Sequence, residues 1–360
     1  MKKAIKAVHV RVDHAAVTEK LCQYIKEGLA PLGVTHLCIE FNPGYVYKCF
    51  PELSYGDFGR DHAKKVAAAA RESNIKIIPL FMCLGHQGWR LDTSMLLKIH
   101  PEFTERPHLP ASAEHLPHDL FFYCHSWCAS NDKVYDYVFP MIDELMQDFE
   151  TDMLHVGMDE VFDLAESTCP RCSGKTRPYL FARTINILHE HIVREKGWQM
   201  MMWADRLNNA KEYGYHAWEG DIWDTWKAID MIPKDIIMAD WHYDMNESGF
   251  KGIEAFIEKG FTVIPAGWRN PEQTRFLLDE ALACRQAGKQ KGYSGYMGGM
   301  MITSWNNCTE DFIDAMLPLL KDRIKEEPEA PAESGQRRMN PAGIAASIVY
   351  MAEKLKDYLP

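Results

Sequence analysis

The chain has 360 residues, 46% of them hydrophobic and 25% charged, with a formal net charge of -11. That balance suits a globular protein with a sizeable core. It argues against a nucleic-acid or anionic-membrane partner, since both require a basic face, and no apolar run is long enough to span a bilayer.

Taken in order, short β-rich runs alternate with helical patterns. Strands are expected at 4–12 (AIKAVHVRV), 35–41 (THLCIEF), 76–83 (KIIPLFMC), 153–157 (MLHVG), 199–204 (QMMMWA), 236–240 (IIMAD), 261–266 (FTVIPA) and 295–304 (GYMGGMMITS). Helices are expected at 15–30, 60–73, 134–149, 178–196, 252–259 and 271–287, the last opening on a proline. Eight such alternations, with no glycine-rich dinucleotide fingerprint after the first strand, predict an α/β fold: a (β/α)8 TIM barrel occupying residues 1–325. A charged, proline-containing linker is expected at 326–339 and a closing helix packed on the barrel at 340–360.

The opening MKKAIKAVHVRVDH is basic only briefly before Arg11 and Asp13 interrupt it, so no export signal is read there. Ten cysteines, several in apolar strand contexts such as Cys38 and Cys83, suit free thiols in a reducing compartment. A cytoplasmic location is the expectation, with self-association into a homo-oligomer left open.

In a barrel of this kind the chemistry comes from the carboxyl ends of the strands. Those ends are polar and aromatic here: Asp13 and His14, Glu40 with Asn42, His86, Asp159 with Glu160, Trp203 with Asp205, Trp241 with Tyr243 and Asp244, Trp268 with Asn270, and Trp305 with Asn306. Two adjacent carboxylates repel, so one tends to hold its proton at neutral pH, as a general acid must. The alternative is that Asp159 caps a helix and Glu160 is solvated. Four successive strands ending in tryptophan are harder to explain as packing. Sugar rings stack their C–H faces on aromatic walls while their hydroxyls need carboxylates and amides, so the mixture reads as a carbohydrate pocket.

The segment HVGMDEV at 155–161 resembles the H-x-G-G-D-E motif of glycoside hydrolase family 20, the β-N-acetylhexosaminidases, with Met158 in place of the second glycine. IIPLFMCLGH is similar to that family's third strand. IEF at 39–41, IPLFMCLGH at 78–86, LHVGMDEV at 154–161, WADRL at 203–207 and ITSW at 302–305 resemble the hexosaminidase D branch in the same order. The resemblance implies an exo-acting, retaining, substrate-assisted hydrolysis of terminal β-linked GlcNAc or GalNAc, with no cofactor in the chemistry. Glu160 would be the acid and base, and Asp159 would orient the acetamide and stabilise the oxazolinium. The family's first-strand arginine, about where Val8 stands, and its Tyr-x-Asp after strand seven are missing, and Asn306 stands where many members have glutamate. Tyr243 is the substitute tyrosine; Asp13, Glu40 and Asn306 are the hydroxyl-binding candidates. His86 and His155 would tune the acid, against the alternative of satisfied structural histidines, and Trp203, Trp241 and Trp305 would line the pocket. The competing readings are a non-catalytic sugar-binding barrel of the same family, a barrel glycosidase of other specificity, and a metal-dependent barrel hydrolase, for which paired histidines on the first strand are lacking.

The long loop after the third strand contains Cys124 and Cys128, and Cys169-Pro-Arg-Cys172 soon follows the fourth. One C-x-x-C pair is half a zinc site. The expectation is a structural zinc held by Cys124, Cys128, Cys169 and Cys172, against the alternative of ordinary reduced thiols.

Overall fold

The computed structural model describes residues 4–41, 44–89, 92–109, 124–246, 249–305, 308–324 and 340–358. The expected linker at 326–339 lies outside them, as do Asn42 and Asn306. Eight parallel strands close into a barrel: β1 (Ile5–Arg11), β2 (His36–Glu40), β3 (Lys76–Cys83), β4 (Met153–Gly157), β5 (Gln199–Trp203), β6 (Ile237–Trp241), β7 (Thr262–Gly267) and β8 (Gly299–Ile302). Each pairs in parallel with the next, and β8 pairs with β1 to complete the ring.

Alternation along the strands separates two apolar layers. Ala7, Cys38, Ile78, Met201, Ala239 and Met301 belong to the cluster that fills the barrel. Val8, Leu37, Ile77, Met202, Val263 and Ile302 belong to the cluster packed between strands and helices. Both faces are buried, which is why these strands read as nearly unbroken apolar runs rather than alternating ones.

The expected strand at 295–304 is broken in two. Tyr296–Met297 pairs with β7, whereas β8 begins at Gly299 and pairs with β1. Gly299 adopts φ +151°, and a Cβ there would sit 1.9 Å from the Ile5 carbonyl oxygen. A side chain is therefore excluded where the strand bends to close the barrel.

Most helices fall close to expectation. They are α1 (Thr18–Gln23, prolonged by a wider turn over Tyr24–Leu29), α2 (Arg60–Glu72), α3 (Tyr135–Asp148), α4 (Arg177–His189), α5 (Lys251–Glu258) and α6 (Pro271–Lys291). After β5 only a short Ala210–Tyr213 helix and a 3-10 stretch at Thr225–Met231 occur. After β8, α7 (Glu310–Lys321) was not expected from the sequence; Thr309 caps it by accepting from Phe312 N. The last helix, α8 (Pro341–Lys354), is capped by Asn340 and packs against α6, α7 and β8.

Candidate active site

β4 delivers Asp159 and Glu160 to the carboxyl end of the barrel, and the loop after β3 delivers His86 to meet them. His86 Nε2 lies 3.1 Å from Asp159 Oδ2 and 3.3 Å from Glu160 Oε2. The approach depends on Gly85, where a Cβ would stand 3.0 Å from Val161 Cγ2 and 3.1 Å from the Asp159 carbonyl oxygen. The backbone here is unusual. Leu84, His86, Cys124, Met158 and Glu160 all have positive φ, between 50° and 74°. Such conformations persist only where the surroundings over-determine them, and they concentrate at functional sites.

The electrostatics follow from burial and crowding. Burial raises Asp159 above the ordinary carboxylate range; His86 opposes this, while Glu160 and Glu40 reinforce it. Burial alone would depress His86, but the charge and hydrogen bond of Asp159 outweigh it and hold the imidazole well above its ordinary value. The carboxyl pair thus faces a ring that keeps its proton. Asp159 Oδ2 is engaged by His86, whereas buried Oδ1 has no hydrogen-bond partner among the described residues.

Glu160 is held from both ends. Its backbone N–H donates to Asp205 Oδ2 at 2.9 Å, and that same oxygen accepts from Arg206 Nε at 2.7 Å. Burial, reinforced by Asp159 and opposed by Arg206, pushes Asp205 up to about 7. The Cys124 thiol donates to Glu160 Oε2 at 3.2 Å. This corrects the expected zinc set: Cys124 stands beside the acid, and Glu105, with no signal in the sequence, takes the place beside Cys128, Cys169 and Cys172.

The barrel floor and far wall are aromatic. Trp203 is fully buried, with His155 tilted against it at 4.4 Å between ring centroids. His155 Nδ1 accepts from Gly157 N at 3.0 Å, and burial, with His9 nearby, depresses the ring well below its ordinary value. On the wall, Tyr243 stacks on Trp241 at 5.0 Å and its hydroxyl accepts from Trp305 Nε1 at 2.9 Å. Trp268 packs edge-on behind Tyr243. Glu40 lies deeper, 3.1 Å from His9 Nε2. Ser304 N donates to His9 Nδ1 at 3.4 Å, so Nε2 carries the proton that Glu40 accepts. Burial opposes ionisation of Glu40, but that bond and the nearby charges of Arg11 and His86 hold it below its ordinary value.

Of the residues expected in the site, Asp159, Glu160 and His86 converge on one face, and Trp203, Tyr243, Trp241, Trp305 and Glu40 on the floor and opposite wall. Asp13 sits at the barrel end, 3.4 Å from Arg11. Asn306 lies outside the described residues. Beyond the expected set are Cys124, Arg11, and an aromatic cluster in which Trp218 and Trp223, both exposed on the loop after β5, meet Phe162 edge-on. Val8 belongs to the outer layer, while its neighbours Ala7 and His9 pack with barrel residues, so alternation puts Arg11 on the inner face.

The family model for the catalytic domain of glycosyl hydrolase family 20 matches residues 40–281. A search of curated proteins returns no match. Among solved structures, a β-N-acetylhexosaminidase from Bacteroides fragilis NCTC 9343 aligns with TM-score 0.61 at 13% identity over 96% of this chain and 66% of its own. The β-N-acetylhexosaminidase from Streptomyces coelicolor A3(2) aligns with TM-score 0.58 at 12% identity over 97% of this chain and 70% of its own. The exo-β-N-acetylglucosaminidase from Vibrio harveyi, in complex with N-acetylglucosamine, aligns with TM-score 0.58 at 13% identity over 99% and 58%. At these identities the likeness is one of fold, and the chain spans only part of the length of each of these proteins.

Proposed function

The chain belongs to glycosyl hydrolase family 20, and from that premise we propose that it is an exo-acting β-N-acetylhexosaminidase working by substrate-assisted hydrolysis with retention. The observation that carries the proposal is the convergence of Asp159, Glu160 and His86 opposite the Tyr243–Trp305 wall. We also assign the chain to the hexosaminidase D branch, on the ordered segments from IEF to ITSW, and to a reducing, cytoplasmic setting in keeping with its free cysteines.

In this reading the acetamido carbonyl oxygen of the substrate attacks the anomeric carbon while Glu160 protonates the departing oxygen. Glu160 Oε2 already accepts from Cys124 and faces His86, so the transferable proton belongs on Oε1. Asp159, paired with His86 through Oδ2, keeps its charge, and Oδ1 accepts the acetamide N–H as positive charge develops on the oxazolinium. Glu160 then takes a proton from the water that opens the ring. Trp305 N–H is directed at the Tyr243 oxygen, and the phenolic O–H, which has Thr303 as a neighbour in the free site, turns to hold the acetamide oxygen. Glu40, Asp13 and Arg11 serve the sugar hydroxyls, with Arg11 as the cation that the first strand otherwise lacks. The Phe162–Trp218–Trp223 cluster offers the group beyond the scissile bond an apolar surface.

An aryl β-N-acetylglucosaminide, its galactosaminide and the matching β-glucoside assayed side by side test the proposal. Turnover of one or both acetamido sugars with very poor turnover of the glucoside is expected, as is tight inhibition by a thiazoline mimic of the intermediate. Efficient glucoside hydrolysis, or a sugar trapped on an enzyme carboxylate, would overturn it.

A further inference from the structure

Four ligand-type side chains converge where the loop after β3 meets the loop after β4. Cys128 Sγ lies 3.5 Å from Cys169 Sγ and 3.4 Å from Cys172 Sγ. Glu105 completes a set whose ligand atoms all lie within 4.8 Å of one another. All four residues are buried. Thiolates on a tetrahedral zinc ion, at ~2.3 Å from the metal, stand about 3.8 Å apart, within a few tenths of an ångström of what is observed. A disulfide requires sulfurs at about 2 Å and engages only two of the three.

Two further features point to a cation. Glu105 Oε1 accepts from Glu166 N at 3.0 Å, whereas among the described residues its other oxygen, fully buried, is met by no backbone or cationic donor and the carboxylate faces only the thiols of Cys172, Cys169 and Cys128. An ionised carboxylate oxygen left so is costly unless a cation meets it. The Cys169–Cys172 turn also aims its backbone at sulfur: the amides of Arg171 and Cys172 donate to Cys169, while Ser173 N and Lys175 N close the turn on the carbonyls of Cys169 and Cys172 at 2.9 and 3.0 Å. Amide donors of this kind are outer-shell partners that orient a metal-bound sulfur.

We propose that Glu105, Cys128, Cys169 and Cys172 bind one structural zinc ion in a closed tetrahedral site. Binding displaces three thiol protons, and the resulting Zn(S)3(O) group carries a net charge of about -2. Lys175, which donates to the same Ser130 hydroxyl that Cys172 reaches, lies close enough to offset part of it. The ion clamps the segment that bears Cys124 and faces the acid pair: Cys128 N donates to Phe103 O at 2.6 Å, Glu105 N to Ser126 O at 3.0 Å and Trp127 N to Leu84 O at 3.0 Å.

Elemental analysis of the full chain, prepared without an affinity tag under zinc-replete conditions, tests the site directly. About one zinc per chain is expected, falling to roughly one-tenth or less in Cys128→Ser and Cys172→Ser, while Cys124→Ser keeps the metal. Glu105→Gln should release zinc faster to a chromophoric chelator. Cobalt in place of zinc should give a thiolate charge-transfer band and tetrahedral d–d bands. Wild-type protein with almost no zinc, whose three cysteines react freely with a thiol reagent in the folded state, would overturn the proposal, as would zinc lost on Cys124→Ser and kept in Cys128→Ser. The wild-type measurement stands even where a variant fails to fold.

Discussion

Replacing Glu160 by glutamine is the most direct probe of the proposed chemistry, because it removes a proton and little else. The side chain keeps its length, so the backbone at φ +50° and the N–H bond to Asp205 should persist. The retained amide oxygen can still accept from Cys124 at the position where Oε2 now lies 3.2 Å from the thiol. What disappears is proton donation to the leaving oxygen, which is worth ~100- to 10,000-fold, or about 3–5 kcal/mol of transition-state stabilisation. The assay is kcat/KM across aryl β-N-acetylglucosaminides of graded phenol acidity. The least acidic phenols should lose the full factor, whereas a strongly acidic phenol, which departs without a proton, should lose on the order of tenfold. The slope of rate against leaving-group acidity should steepen accordingly. If both ends of the series fall equally and by less than about threefold, Glu160 is not the acid.

Three further perturbations address the surrounding groups. Tyr243→Phe keeps the stack on Trp241 but removes the hydroxyl that accepts from Trp305, and should cost about 1–2 kcal/mol, or roughly tenfold in kcat/KM, on acetamido substrates; a change under about twofold would discard its role. Cys124 is a positioning residue, so Cys124→Ala should lower kcat severalfold with KM little changed and Cys124→Ser should restore most of it; equal loss in both variants, or none in the alanine variant, argues against the thiol donor. His242 supplies a pH test: burial would depress it, but Asp240 and Glu219 raise it to about 9 from an ordinary 6.5. Its folded pKa is the higher one, so its contribution to stability is fully present below about pH 6.5 and lost as pH rises through about 9, a swing of about 3 kcal/mol. The stability difference between wild type and His242→Gln, measured by urea unfolding, should therefore shrink by that order between pH 6 and pH 9.5, and a pH-independent difference would refute the linkage.

The barrel was legible because each strand is buried on both faces and so appears as a compact apolar run. Such runs say little about where a strand bends: the Gly298-Gly299 pair reads as part of one long strand, and only the break in the pairing with β7, where β8 resumes it and adds β1, shows that the chain must kink there. α7 escaped the sequence reading despite its Thr309 cap and the helical spacing of Phe312, Ile313, Met316, Leu317 and Leu320. In the site, charge in an apolar setting exposed Asp159, Glu160 and Glu40, but the division of labour among cysteines was hidden. Cys124 and Cys128 are four residues apart on one loop, yet one faces the acid and the other the Cys169–Cys172 turn. Glu105 had no spacing signal because a ligand from a distant loop position is chosen by the fold, not by the motif.

Met158 stands where H-x-G-G-D-E has its second glycine, and it adopts φ +74°, a conformation that glycine takes without steric cost. A side chain there costs about 1–2 kcal/mol of backbone strain. Methionine recovers an amount of the same order, about 1.5–3 kcal/mol, by being buried at 1% exposure among apolar neighbours. Substitution at this position is therefore tolerated only by a residue that can be fully buried, and a polar residue would carry the strain without the compensation. The positive-φ residues of the β3 loop are held by contacts within that loop, such as Trp127 N to Leu84 O and Gln87 N to His125 O, and Glu160 by its N–H bond to Asp205. The acid pair is consequently set by the loops before any sugar arrives, and substrate need not spend binding energy to assemble it.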